Sequence, residues 1–302
     1  MRRRQFIRGG IGAAAFATPL VDRLLGSGAQ ASKLPYDLVA VKDGEPEAMF
    51  DKAIESLGGM KAFVQRNQKV VVKPNIGWAV TPERGANTHP GLVKRVVEHC
   101  LRAGAKEVVV FDNTCNEWRE CYQQSGIERA AKDGGAKVAP GHDEKYYQAA
   151  EVPKGKKLTA VKEHELIRGC DVFINVPVLK CHKATALTIA MKNLMGIVWD
   201  RKFWHGNDLH QCIADYACQR QPDLNIVDAY RVMKANGPRG KSEDDIVTMK
   251  ALLVAPNALV VDVAAAKLYG TKPEDVGYIK MAHEAGLGPI ALDGLRINRI
   301  QS

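Results

Sequence analysis

The run Lys69-Val70-Val71-Val72-Lys73, closed by Pro74 and Asn75, constrains the fold more than any other feature of the chain. β-Branched residues suit a pleated, buried surface, and proline cannot continue the ladder. After a loop containing Gly and Pro, His89-Pro90 opens a helical pattern in which Val93, Val96, Val97, Cys100 and Leu101 share one face. Gly104 stands at the expected carboxyl cap, and Glu107-Val108-Val109-Val110-Phe111 is a second strand. Strand, helix and strand in this order make a right-handed crossover unit, the seed of an α/β fold.

The alternation continues along the chain. Helix-like sequence covers Glu117 to Lys132, Lys137-Val138 is a short strand, and Asp171 to Leu179 is a third long strand that Pro177 should end or bend. Leu224-Asn225-Ile226-Val227 is a fourth. Between and after them, Thr185 to Met195 is strongly apolar and reads as helix, Leu209 to Arg220 is amphipathic, and Ala258 to Tyr269 is rich in Ala and Val. The expected class is α/β, with a mainly parallel sheet flanked by helices, either as one unit or as two subdomains parted near residue 150. No internal repeat or low-complexity linker interrupts it.

At the amino terminus, Arg2-Arg3-Arg4-Gln5-Phe6-Ile7-Arg8 resembles a twin-arginine export signal. The apolar run from Gly9 to Val21 is too short and too rich in Gly and Ala to span a membrane, and Ala29-Gln30-Ala31 offers the small-x-small pattern of a signal-peptidase site. The expected organisation is therefore a signal peptide over residues 1–31 and an α/β domain over residues 32–302. The twin-arginine translocase is an expected partner, and the periplasm, or another extracytoplasmic space, the expected location.

This division also locates the charge. The formal net charge of +9 suggests at first a nucleic-acid or anionic-membrane partner. Five arginines and one aspartate lie in residues 1–31, which leaves +5 on the remainder. That charge is dispersed apart from short clusters such as Lys154-Gly155-Lys156-Lys157, with no basic helix or interleaved aromatic platform, so a nucleic-acid partner is not expected. Hydrophobic residues at 46% and charged residues at 25% exclude a disordered chain.

In open parallel sheets, ligands bind beyond the carboxyl ends of the strands. Here the first strand ends in Lys73 and Asn75, the second in Asp112 and Asn113, the third in Lys180, Cys181 and His182, and the fourth in Asp228, while His89 opens the helix after the first. Singly, each is as well explained as a loop cap or surface charge. Together they point to a shared site. Lys192 and Asn193 interrupt the apolar stretch from Ala186 to Met195. A buried lysine must find a counter-charge, reach solvent or lose its proton. Lys192 is thus either paired with Asp112, Asp228 or Asp262, or snorkelling, or holding an anion in the same crevice.

The seven cysteines, at 100, 115, 121, 170, 181, 212 and 218, cannot all pair within one chain. Cys115 with Cys121, and Cys212 with Cys218, match neither ferredoxin nor zinc-knuckle spacing. His205, Asn207, Asp208 and His210 read as loop hydrogen-bonding groups. No G-x-G-x-x-G fingerprint, P-loop or serine nucleophile elbow is present.

Several longer segments resemble a known family. VVVKPNIG from Val70, NTHPGLVKRVVEHCLRAGAKEVVVFDN from Asn87, LKCHKATALTIAMKNLMGIV from Leu179, IVDAYRVMKANGPRG from Ile226, LVVDVAAAKLYG from Leu259 and EAGLG from Glu284 are similar to members of domain-of-unknown-function family 362. The lysine–x–histidine and Met-Lys-Asn-Leu-Met-Gly elements are the most specific. The resemblance points to Lys73, Asn75, His89, Asp112, Lys180, His182, Lys192, Asn193, Asp228, Asn236 and Gly237 as site residues. From their chemistry, Lys180, His182 and Lys192 are the expected catalytic groups, Lys73, Asn75, Asn193, Asn236 and Gly237 the expected substrate-binding groups, and His89, Asp112 and Asp228 the expected metal-binding groups. Some relatives carry ferredoxin-like modules, but this chain lacks their four-cysteine run, so an attached iron–sulphur cluster is not expected; the cofactor stays open, with a metal ion as the candidate. The expected function is an exported, redox-related enzyme that binds an anionic small molecule or metal-associated cofactor; the alternative is a non-catalytic accessory protein that delivers a ligand or metal to a redox partner.

Overall fold

The structure, a computed structural model, describes residues 34–302. The expected export signal over residues 1–31 therefore lies outside the described residues. In chain order, β1 (Leu38–Lys42) leads to α1 (Pro46–Ser56), and β2 (Lys69–Pro74) to α2 (Pro90–Ala103). β3 (Glu107–Val110) is followed by α3 (Trp118–Gln124), α4 (Ile127–Asp133) and β4 (Lys137–Val138). β5 (Tyr147–Glu151) and β6 (Ala160–His164) form a separate two-stranded sheet before α5 (Glu165–Gly169). Next come β7 (Val172–Val176), β8 (Val178–His182) and β9 (Ala186–Thr188), then α6 (Ala190–Asn193), α7 (Arg201–Gly206) and α8 (Leu209–Gln219). β10 (Leu224–Met233) and β11 (Ile246–Ala255) are followed by α9 (Ala258–Tyr269), α10 (Gly277–Glu284) and β12 (Ile297–Gln301).

The main sheet runs β12-β1-β11-β10-β7-β2-β3-β4, with β8 beside β10 and β9 beside β8. Only β11 and β9 oppose their neighbours, so the fold is the mainly parallel α/β arrangement that the alternation predicts. Because side chains alternate along a strand, β2 feeds two cores. Val70 and Val72 pack with Met49, Phe50, Leu92 and Val96 from α1 and α2 on one face. Val71 packs with Ile213, Leu259 and Tyr278 from α8, α9 and α10 on the other. Each fully buried side chain of this kind contributes about 1.5–3 kcal/mol relative to exposure, which fixes the strand ends that carry the polar groups.

Several sequence expectations change. Thr185 to Met195 is not one helix: Ala186 takes a left-handed φ of 60°, β9 turns back on β8, and helix begins only at Ala190. That segment is buried on nearly every side, so its apolar content carries no period to separate strand from helix. Pro177 does break the third strand, between β7 and β8, and both halves still pair with β10. The fourth strand is longer than the apolar run suggests, and Asp228 lies inside it, beside a register shift between Ala229 and Arg231, rather than at its end. Residues 34–302 cluster as one compact unit, without a division near residue 150.

Candidate functional site

β2, β3 and β7 are parallel neighbours, so their carboxyl ends open on one edge of the sheet. The loops there, with β8, α6 and α7, surround a crevice of about 440 Å³. Lys73, Asn75, Asp112, Lys180, His182, Lys192 and Asn193, all expected from the sequence, line it.

The polar wall is ordered by a chain of asparagines. Asn225 donates to the Pro256 carbonyl and accepts from Asn175; Asn175 accepts in turn from Asn193 Nδ2 at 2.8 Å. Asn193 Oδ1 is thereby aimed at the crevice, where it accepts from Lys73 Nζ at 2.7 Å and from Asn75 Nδ2 at 2.9 Å. The orientation of each amide follows from its neighbour's, which leaves Asn75 Oδ1 as an acceptor for Lys180 Nζ at 3.1 Å.

The three lysines meet different partners. Lys73 Nζ donates also to the Asn193 carbonyl at 2.7 Å and lies 3.0 Å from Asp112 Oδ1, making a fully buried ion pair. Burial pushes the Lys73 ammonium down and the Asp112 carboxyl up, each opposed by the charge of the other. Asp112 Oδ2 accepts the Ile76 N–H at 2.7 Å, which ties the loop after β2 to the end of β3. Lys180 has only neutral acceptors, Asn75 Oδ1 and the Ala86 carbonyl at 2.5 Å, and burial with nearby positive charge pulls it down to about 7. Lys192 is 8% exposed, and its one hydrogen-bond partner among the described residues is the Met195 thioether at 3.4 Å. No carboxylate among the described residues stands within ion-pair distance of it, and burial lowers it to about 8.

His182 Nδ1 accepts the Ala184 N–H at 3.2 Å, so the other ring nitrogen carries the proton of the neutral imidazole. Burial, then the charges of Lys192 and Lys180, holds its pKa down to about 3, and the ring stays neutral at ordinary pH. Five basic side chains, Lys73, Lys180, Lys192, Arg201 and Lys202, line the crevice, and among the described residues Asp112 is the one carboxylate that lines it with them. Low-dielectric walls focus such a potential toward an anion.

Arg201 and Lys202 were not singled out by the sequence. Arg201 donates to the Asn113 and Thr114 carbonyls at 3.0 and 2.6 Å, so it fastens the loop after β3 while adding charge to the crevice. Asp200 capping α7 is a readable signal of the helix start, but nothing local says which strand end that helix meets. His205, read as a loop residue, also reaches the wall. Asp208 caps α8, and His210 Nδ1 accepts the Tyr278 N–H, as loop and capping roles require.

The proposed metal trio is not brought together. Asp112 belongs to the crevice and to Lys73, whereas Asp228 accepts the His89 and Tyr230 backbone N–H groups at 2.7 and 2.9 Å and neither His89 nor Asp228 lines the crevice. Among the described residues no three His, Cys, Asp or Glu side chains are grouped to hold a metal ion, and His89, Asp112 and Asp228, spread over two places, do not fit one. Asn236 is occupied with Asp245 at 2.6 Å. Gly237 donates to Cys181 Sγ, and a Cβ there would stand 2.0 Å from the Cys181 carbonyl, so its part is a close approach of two backbones beside the crevice rather than ligand contact. All seven cysteines are free thiols.

Fold and site together define an α/β protein with a lysine-rich crevice at its strand ends. Residues 70–267 match the family model described as domain of unknown function DUF362, and the chain belongs to that family. It is 25% identical over 248 residues to the thylakoid-associated protein sll1697 of Synechocystis, covering 80% of this chain and 75% of that one. Among solved structures, a protein of Thermotoga maritima is similar with a TM-score of 0.47 and 11% identity over 80% of this chain. The lactate racemase apoprotein of Thermoanaerobacterium thermosaccharolyticum gives a TM-score of 0.44 and 12% identity over 70%. The chain spans 60% and 53% of the lengths of these two structures.

Proposed function

We propose that the crevice binds a small carboxylate or phosphate and that the protein is an enzyme acting on it. One observation carries this reading: the Lys192 ammonium is buried at the wall of the crevice with a thioether, not a carboxylate, as its partner. An uncompensated buried charge costs several kcal/mol, and an anion seated in the crevice supplies the missing counter-charge. Lys192 then binds and orients the anion, the Lys73–Asp112 pair and the asparagine chain hold the floor rigid, and neutral His182 offers a ring N–H to the ligand. Isothermal titration with inorganic phosphate and with succinate tests this. Lys192→Met should keep or raise the melting temperature while weakening both anions about 10–100-fold, the worth of a charged hydrogen bond. Equal binding by wild type and variant would reject the reading.

The proposal extends to location. The Arg2-Arg3 pair, the apolar run and Ala29-Gln30-Ala31 support export of the folded protein. Replacing Arg2, Arg3 and Arg4 by lysine should retain the protein in the cytoplasmic fraction, and unchanged fractionation would overturn export by this route.

A further inference from the structure

Lys180 differs from its two neighbours in the kind of acceptor it meets. The asparagine chain fixes Asn75 Oδ1 toward Nζ, and the Ala86 carbonyl takes a second position around the same nitrogen. Both acceptors are neutral, and a neutral amine has two N–H donors and one lone pair. Two donors spent on two carbonyls leave the lone pair free in the remaining tetrahedral direction, and Lys180 is one of the residues that line the crevice.

We propose that Lys180 is a nucleophilic amine that adds to the carbonyl carbon of a small oxo-carboxylate whose carboxylate is held by Lys192. This rests on the anion-binding reading above and names its substrate class. In the step, the Nζ lone pair forms the C–N bond while the carbonyl π pair passes to oxygen. One proton moves from nitrogen to that oxygen; the hydroxyl then leaves as water, taking the second amine proton, and the C=N bond of an imine remains. No oxidant or reductant is consumed.

The surroundings favour the free amine. The groups that bear on Lys180 are Lys73 on β2, Asp112 after β3, Cys115 in the same loop, His182 on its own strand and Lys192 on α6, with burial the largest influence. The resulting value of about 7 leaves about half of the amine unprotonated at neutral pH, against about one part in three thousand for an ordinary lysine. The neutral amine is also the form that adds to carbonyl compounds.

The test uses the full chain with glyoxylate and sodium cyanoborohydride at neutral pH, followed by peptide mapping, with formaldehyde in place of glyoxylate as a probe lacking the carboxylate. Lys180 should be labelled by glyoxylate at least about tenfold faster than exposed Lys183 and Lys202. Phosphate should protect it, and Lys192→Met should slow the glyoxylate reaction about tenfold or more beyond any slowing of formaldehyde, which reports only the change in the Lys180 amine when the Lys192 charge is lost. Lys180→Met, checked for an unchanged melting transition, should lose the fast adduct. If phosphate binds but neither probe marks Lys180, the nucleophile proposal is wrong and the anion site stands. If formaldehyde marks Lys180 while glyoxylate shows no preference and phosphate no protection, both the oxo-carboxylate proposal and the anion reading fall.

Discussion

At the scale of single residues, the crevice is set by how completely each charge is paired. Gly196 illustrates the tolerance: a Cβ there would stand 1.9 Å from Asp112 Oδ1 and 2.5 Å from Lys73 Nζ. Gly196→Ala must therefore displace one member of a buried ion pair. Breaking such a pair costs about 3–5 kcal/mol, so the urea midpoint should fall markedly and phosphate binding should weaken. Gly206→Ala, where nothing lies within 4 Å of an added Cβ, is the control and should unfold nearly as wild type does. A normal midpoint for Gly196→Ala would mean that the pair relaxes freely. Most of these residues were legible because Lys73, Asn75, Asp112 and Lys180 stand at or just beyond recognisable strands. Asp228 and His89 were misplaced for a related reason. A sequence shows where an apolar run stops, but β10 continues through Asp228, whose carboxylate turns back onto backbone N–H groups.

At the scale of elements, the placement of Lys192 depends on a contact between helices. Asp262 on α9 accepts the N–H groups of Ala190 at 2.7 Å and Met191 at 3.1 Å, one on each carboxyl oxygen, and so starts the single turn of α6. Asp262→Asn replaces one acceptor by an NH₂ group facing another donor. Leaving a buried N–H unsatisfied costs about 1–3 kcal/mol. The variant should lose amide-exchange protection at Ala190 and Met191 and bind phosphate more weakly, with α2 and β2 unaffected. Retained protection at these two amides would show that neighbouring packing, not Asp262, holds the turn. This link was hidden in the sequence, because Asp262 reads only as a charge within an Ala- and Val-rich helix. By contrast, α2, with proline at its start and Gly104 in the left-handed conformation at its end, was legible from its own residues. The strands at one end of the sheet, β12, β1 and β11, were not, since their pairing joins segments far apart in the chain.

For the whole molecule, the buried ionisable groups predict an unusual dependence of stability on pH. Burial raises the Asp262 carboxyl from 3.8 to about 8. Between these values the folded chain holds a proton that the unfolded chain has released, so this contribution to stability is lost as pH rises toward 8. Lys180 and Lys192 act in the opposite sense, lowered from 10.5 to about 7 and about 8. Above those values the unfolded chain holds the extra protons, so stability rises with pH up to about 10.5 and is lost on acidification through the folded values. On the acid side His182, lowered from 6.5 to about 3, offsets the Asp262 fall below about pH 6.5, so the net signal is the rise of stability above about pH 8. Urea unfolding at about pH 5, 7.5 and 10 should reveal it. The double variant Lys180→Met/Lys192→Met should lose most of the rise on the alkaline side. Phosphate should stabilise the wild type more at about pH 7 than at about pH 9.5, because the anion binds the charged form of Lys192 and binding to the folded state adds directly to stability. A stability curve that is flat above pH 8 in wild type and double variant alike would show that the two amines do not change their protonation on folding.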